Sequence, residues 1–255
     1  MYQHKLKSVF LVLTFHFNDA ILIINSGFVD NSQFVRLLEE NFMSDLQTVK
    51  YSTKRKNLHL RVAAGHFATS NCHSNYYIDV VSQKTRLSEA RAVAEELSSY
   101  YYADTVVDTI LCLDGTEVIG ACFADSLSEA GLINMNAHKS IYVVSPEIIG
   151  GNQFIFRDNI VPMIKDKNVM ILAVSVSSGK TAHSAIEAVR YYGGKVAGVA
   201  AIFSTAKECG GLPVRSVFDP KDLDNYGIYP SYDCPLCKAG VKIDALINSH
   251  GFSKL

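Results

Sequence analysis

Apolar and polar positions change period several times along this chain, and each change marks an element. Residues 106–113 are a continuous apolar run bounded by Asp104 and by Asp114-Gly115, the pattern of a strand covered on both faces. Apolar residues then spread with helical period over 117–130 and stop at Gly131, and 140–145 is a short β-branched and aromatic strand ended by Pro146. The second half repeats this alternation: a strand over 168–176, a helix over 181–192 closed by Gly193-Gly194, and a strand over 195–204. Upstream, Ser88 reads as the cap of a helix with apolar residues at Ala90, Val93, Ala94 and Leu97. Strands alternating with helices of about 10–15 residues predict right-handed crossovers and an α/β fold, a parallel sheet flanked by helices. Ligands of such sheets sit beyond the carboxyl ends of the strands, where two loops fall, 114–117 and 175–181.

The first 42 residues differ. Two β-rich apolar runs, 9–17 and 20–24, lead to 32–42, which has helical spacing at Phe34, Leu37 and Leu38. A second methionine, Met43, then opens a charged, Ser/Thr-rich stretch to Asn57 that reads as an exposed connector. The expectation is an N-terminal extension over 1–42, or a start site placed too far upstream, ahead of a main domain over 43–255. His4, Lys5 and Lys7 before the first apolar run imitate a secretory signal, but His16, Asn18 and Asp19 leave the run too short to cross a bilayer, which takes about 20 residues.

Composition narrows the possibilities. With 24 Lys+Arg against 25 Asp+Glu and 48% hydrophobic side chains in 255 residues, the chain is an ordinary globular protein rather than a disordered, collagenous or coiled-coil one. A net charge of −1 supplies no global field for nucleic acid or an anionic membrane, so neither is an expected partner and any anion site must be built locally. Six cysteines in a chain that can bury its own core read as reduced thiols, hence a cytoplasmic location. Cys234-Pro-Leu-Cys237 has the spacing of half a structural zinc site, whose completion would fall to Cys209, Cys72 or a histidine such as His250. The competing reading is a pair of reduced, partly buried thiols in a Pro- and Asp-rich loop, and no residue is assigned as a metal ligand.

The stretch that carries chemistry runs from Val169 to Thr181. Between a buried strand and a helix start it packs Ser177, Ser178, Gly179, Lys180 and Thr181, an anion cradle in which helix amides, hydroxyls and a lysine converge on a phosphate. Its bland alternative is a hydroxyl-rich helix cap with a glycine turn. A Walker A loop is disfavoured, because Val174 stands where that motif needs glycine.

Here the chain resembles the type I phosphoribosyltransferases, and among them the orotate enzymes. Residues 177–181 resemble the family's Thr-Thr-Gly-Gly-Ser/Thr cradle for the 5-phosphate of phosphoribosyl diphosphate, with Lys180 in place of the second glycine. The segment from Gly65 to Asp79 resembles the hood over the base, with Asn71 where the family has glycine and with Ser74, Tyr76, Tyr77 and Asp79 as the matching residues. Asp114, Gly115, Thr116 and Glu117 occupy the place of the diphosphate loop. The resemblance spans about residues 60–220 and implies a hood subdomain over about 58–85, a C-terminal tail over about 220–255, a likeness to homodimers, and magnesium as cofactor. Asp114 and Glu117 could share that magnesium with a diphosphate, or could simply make a tight turn and favour the helix start.

Two departures bear on activity. The family's two adjacent acids, which hold the ribose hydroxyls, are here Ala173 and Val174, and the span matching its lysine-rich mobile loop, 145–158, contains no Lys and a single Arg157. The resemblance therefore implies a protein that binds phosphoribosyl diphosphate or a nucleoside monophosphate and, if active, transfers the phosphoribosyl group to a pyrimidine-type base; the alternative is a non-catalytic module that senses a nucleotide. His66 and His73 flank the hood segment, where either could donate to a substrate carboxylate, although surface histidines usually have no such role. Of the Tyr76-Tyr77 pair, alternation expects one core ring and one outward ring, and Tyr100, Tyr101 and Tyr102 read as packing or a dimer surface.

Overall fold

The structure is a computed structural model, and it describes residues 49–52, 58–129, 134–137, 139–150 and 153–255. The chain divides into two units, 1–47 and 48–255, of which the second is described. The extension over 1–42 and the basic run Lys54-Arg55-Lys56 lie outside the described residues.

In chain order the elements are β1 (Val49–Ser52), β2 (His59–Ala68), β3 (Cys72–Asp79), α1 (Val81–Thr85), α2 (Leu87–Ser98), β4 (Thr109–Cys112) and α3 (Glu117–Ser128). Then come β5 (Tyr142–Val144), β6 (Glu147–Ile149), β7 (Gln153–Ile155), β8 (Asn168–Val176), α4 (Lys180–Tyr191), β9 (Lys195–Ser204), β10 (Glu208–Cys209) and β11 (Leu212–Phe218). The chain ends with β12 (Ile228–Pro230), the short helix α5 (Pro235–Lys238), β13 (Ala245–Asn248) and β14 (Gly251–Lys254).

The central sheet has the order β10-β11-β9-β8-β4-β5. From β11 to β5 every pairing is parallel, and only β10 turns back antiparallel on β11. This is the α/β architecture that the alternating pattern predicts. Alternation along β8 explains why the sheet needs cover on both faces. Met170, Leu172 and Val174 join a core with α2, α3 and Leu60 and Val62 of β2, whereas Val169, Ile171 and Ala173 join a second core under α4.

Among the departures from the sequence expectation, three stand out. The strand expected over 106–113 shortens to β4, because the Val107 amide donates to the Asn136 side chain (2.9 Å) and Asp114 enters the left-handed region at φ 57°. Helix α2 is capped by Arg86 rather than Ser88, since the Arg86 carbonyl already accepts from the amides of Glu89 and Ala90 (3.0 and 2.9 Å). Within the expected connector, Val49–Ser52 pairs with β2 as a strand.

A second sheet has the order β12-β3-β2-β13-β14, with β1 also on β2. β3 runs along one edge of β2, while the other edge is shared by β1, opposite residues 59–62, and by the parallel strand β13, opposite 67 and 68. The hood hairpin and the C-terminal tail are thus one sheet. A bulge between Ala64 and Phe67 adds one residue to β2 against β3.

This second sheet is tied to the helical layer by charge as well as by apolar contact. Arg61 on β2 donates two hydrogen bonds to the Glu89 carboxylate on α2, each 2.8 Å, with both side chains mostly buried. The guanidinium holds the Glu89 carboxyl below its ordinary value. Such a pair stabilises the fold above the ordinary carboxylate pKa and loses that contribution as pH falls through the lowered one. Glu89→Gln is expected to lower stability by about 1.5–3 kcal/mol near neutral pH and to weaken the acid sensitivity of unfolding. Urea denaturation of both proteins at about pH 7 and about pH 3 measures this, and equal acid losses in the two would refute it.

Among the described residues no helix is long and apolar enough to cross a membrane.

Candidate functional site

β8 and β4 end side by side at the carboxyl edge of the central sheet, and both loops expected there face one cleft of about 640 Å³. The floor on the β8 side is the cradle: Ser177, Ser178, Gly179, Lys180 and Thr181 all line the cleft. Gly179 is the N-cap of α4 and takes φ 73°, a left-handed conformation that glycine adopts without strain. No side chain caps the helix, so its first amides face the cleft with the partial positive charge of a helix start. Behind the loop, the Thr205 hydroxyl donates to the Ser177 carbonyl (3.3 Å) and the Cys209 thiol to the Gly179 carbonyl (3.6 Å), holding the turn from outside.

Ala173 and Val174, where the resemblance would put two acids, are buried and point to opposite faces. Ala173 sits in the core under α4; Val174 lines the cleft with its apolar side chain. Arg157, the single cation of the span matching the mobile loop, is committed to Glu147 through two hydrogen bonds of 2.6 Å across the β6–β7 hairpin.

The loop after β4 contributes unequally. Asp114 lines the cleft and is the one carboxylate among its described walls. Asp114 and Gly115 both take positive φ, 57° and 78°, in the tight turn. Thr116 is fully buried and its hydroxyl donates to the carbonyls of Leu113 and Leu172 (2.9 and 3.2 Å), a structural task. Glu117 accepts from the Ser145 hydroxyl (2.7 Å), and neither it nor Gly115 or Thr116 lines the cleft. Behind this turn lies a residue that sequence reasoning missed. Lys84, on α1 and 7% exposed, donates to the carbonyls of Asp114 (2.9 Å) and Ser249 (2.6 Å). Burial lowers its pKa, against the attraction of Asp114 and Glu117, and burial raises that of Asp114.

The hood sheet forms the opposite wall. Ser74, Tyr76 and Tyr77 line the cleft, together with Tyr226. Tyr76 stacks on Tyr226 with ring centroids 6.3 Å apart and donates to the Asp224 carbonyl (3.0 Å). Tyr77 is the core ring of the pair, packed against Phe67 and Phe252, and burial pushes its hydroxyl up to about 12. Asp79 is absent from the cleft walls and accepts from the Val81 amide (3.0 Å) at the start of α1. At the hairpin tip Asn71 meets the cradle directly, accepting from the Lys180 ammonium at 3.4 Å. Asn71 and Lys180, which stand where the resemblance would put glycines, thus touch each other across the cleft mouth. Tyr101 is buried with its hydroxyl on the Val199 carbonyl (3.0 Å), so that run of tyrosines serves packing.

His66 and His73 do not line the cleft. Both are buried on the hood hairpin beside Cys234 and Cys237, and Cys234 is the N-cap of α5 rather than part of a loop without helix. The partners of the cysteine pair are therefore these two histidines, not Cys209, Cys72 or His250. Two histidines in one hairpin and a C-x2-C downstream are a complete inventory of ligands; the separation of 164 residues between His73 and Cys237 concealed it.

No protein-family model and no curated protein matches the chain by sequence. Solved structures with similar folds include a phosphoribosyltransferase from Corynebacterium diphtheriae, 18% identical, covering 75% of this chain and 96% of its own, with a TM-score of 0.44. The orotate phosphoribosyltransferase of Aeropyrum pernix is 17% identical over 74% of this chain and 94% of its own (TM-score 0.40), and that of Mycobacterium tuberculosis with inorganic phosphate is 18% identical over 59% and 82% (TM-score 0.42).

Proposed function

We propose that the cleft binds a 5-phosphoribosyl group, as phosphoribosyl diphosphate or a nucleoside monophosphate. The observation that carries this reading is the convergence of the cradle at the start of α4, the Asp114 turn and the tyrosine-lined hood on one cleft of about 640 Å³. In this reading the 5-phosphate rests on Ser177–Thr181 amides and hydroxyls with Lys180 as counter-charge, the ribose crosses Val174, and the base lies toward Tyr76 and Tyr226. Asp114 is a suitable donor for magnesium, which uses one or two carboxylates and takes most of its other ligands from phosphate and water. Bound there, the ion would neutralise a diphosphate.

The apolar pair Ala173-Val174 favours binding over fast transfer. A ribose hydroxyl left without its carboxylate partner loses roughly 1–3 kcal/mol, and two of them slow a phosphoribosyl transfer by about 30-fold or more. Transfer to a pyrimidine-type base such as orotate is the second reading. Titration calorimetry with phosphoribosyl diphosphate and with uridine monophosphate, followed by the loss of orotate absorbance with magnesium present, separates the two. Binding of either ligand with little or no turnover is the expected result. Rapid turnover would install the second reading, and failure of both ligands to bind would end the proposal.

A further inference from the structure

Outside the cleft walls, four side chains from two distant segments, the hood hairpin and the start of α5, aim their metal-ligating atoms at one point. His66 Nε2 lies 3.0 Å from His73 Nδ1, 3.6 Å from Cys234 Sγ and 3.6 Å from Cys237 Sγ, and Cys237 Sγ lies 3.2 Å from His73 Nδ1. All four ligating atoms fall within 4.8 Å of one another. Hydrogen bonding does not explain this arrangement, because the single Nε2 of His66 faces three partners and can serve one of them. A tetrahedral zinc ion explains it: bonds of about 2.0 Å to nitrogen and about 2.3 Å to sulfur set ligands about 3.3 Å apart for two nitrogens and about 3.5 Å for nitrogen and sulfur.

We infer that His66, His73, Cys234 and Cys237 form a structural zinc site that fastens the C-terminal tail to the hood hairpin. The surroundings are built for it. His66 Nδ1 is 2.9 Å from the Val241 carbonyl, so it carries the proton and leaves the Nε2 lone pair for the ion. The Asp244 carboxylate accepts from the His66 amide at 2.7 Å, at the β2 bulge, and fixes the backbone that carries the ring. Cys234 is the N-cap of α5 and Cys237 lies within its single turn, the close approach a C-x2-C pair needs. Two thiolates and two neutral imidazoles select zinc over magnesium or calcium, and two thiolates balance the dication in a site where three of the four ligands are buried. Binding releases both thiol protons to solvent. Cys237 is exposed and gives the ion its way in. The site also shapes the cleft, since His73 lies between Cys72 and Ser74, both cleft residues.

The test uses the full chain, purified without metal-binding tags. Elemental analysis is expected to find about one zinc per chain, and cobalt(II) exchanged into it should give the intense visible bands of a tetrahedral thiolate site. Cys234→Ser and Cys237→Ser are each expected to cut zinc content about tenfold or more, and Cys122→Ala to leave it unchanged. If the cysteine variants fail to fold, the cobalt spectrum of the unaltered chain decides. A folded chain without zinc whose cobalt spectrum is that of a weakly absorbing octahedral ion would overturn the inference, as would zinc retained in folded Cys234→Ser and Cys237→Ser. None of these readouts depends on phosphoribosyl binding.

Discussion

Gly179→Asp is expected to abolish binding of phosphoribosyl diphosphate and of nucleoside monophosphate, weakening both by about 100-fold or more. Two effects add. The new carboxylate stands where helix amides and Lys180 would meet a phosphate, so like charges oppose each other in a partly desolvated pocket. The backbone at φ 73° also strains any residue with a Cβ, which here would stand 3.4 Å from Cys209 Sγ. Gly179→Ala separates the two: it brings the strain without the charge, about 1–2 kcal/mol, and is expected to keep measurable affinity. Titration calorimetry on both variants, with thermal melting to verify folding, gives the comparison. Equal affinity of Gly179→Asp and the unaltered protein would remove the phosphate from this loop.

Lys84→Met is expected to be the most destabilising single change at the site. The ammonium is a buried cation donating to two carbonyls, Asp114 on the central sheet's turn and Ser249 after β13. A hydrogen bond to a charged group contributes about 1.5–3 kcal/mol, so losing both donors should cost about 3 kcal/mol even after methionine restores the packing of the stem. In a domain of this size that is a fall in melting temperature of roughly 6–12 °C. Because Asp114 and Ser249 both line the cleft, ligand affinity should fall in parallel. A melting temperature within about 2 °C of the unaltered protein would show that water replaces the ammonium without loss.

What could be read from the sequence followed burial. β8 and β9 are legible to the residue, at 168–176 and 195–204, because a strand covered on both faces writes a continuous apolar run. The cleft-lining turn at 177–181 was legible because hydroxyls, glycine and lysine between strand and helix have a local reason to be together. The second sheet was not, because its members meet through backbone pairing that leaves no composition signal: β12 joins β3, and β13 joins β2, from more than 150 residues away. His66 was read as a surface residue for a related cause. Nothing near it in the chain shows that Cys234, Cys237 and Val241, about 170 residues away, will cover its ring. Lys84 escaped because a lysine on a short helix looks solvated until the tail arrives to cover it.

The shared edge of β2 orders events during synthesis. The His66 amide and the Asp244 carboxylate that fixes it are 178 residues apart, whereas the parallel strands of the central sheet are complete at Phe218. A ribosome making this chain therefore presents the hairpin early, with the outer edge of β3 and the end of β2 at 67 and 68 bare, while the sheet it will face is still being translated. The cleft can close only after β13 has emerged, so nascent chains halted before it would expose a β edge to chaperones and to one another.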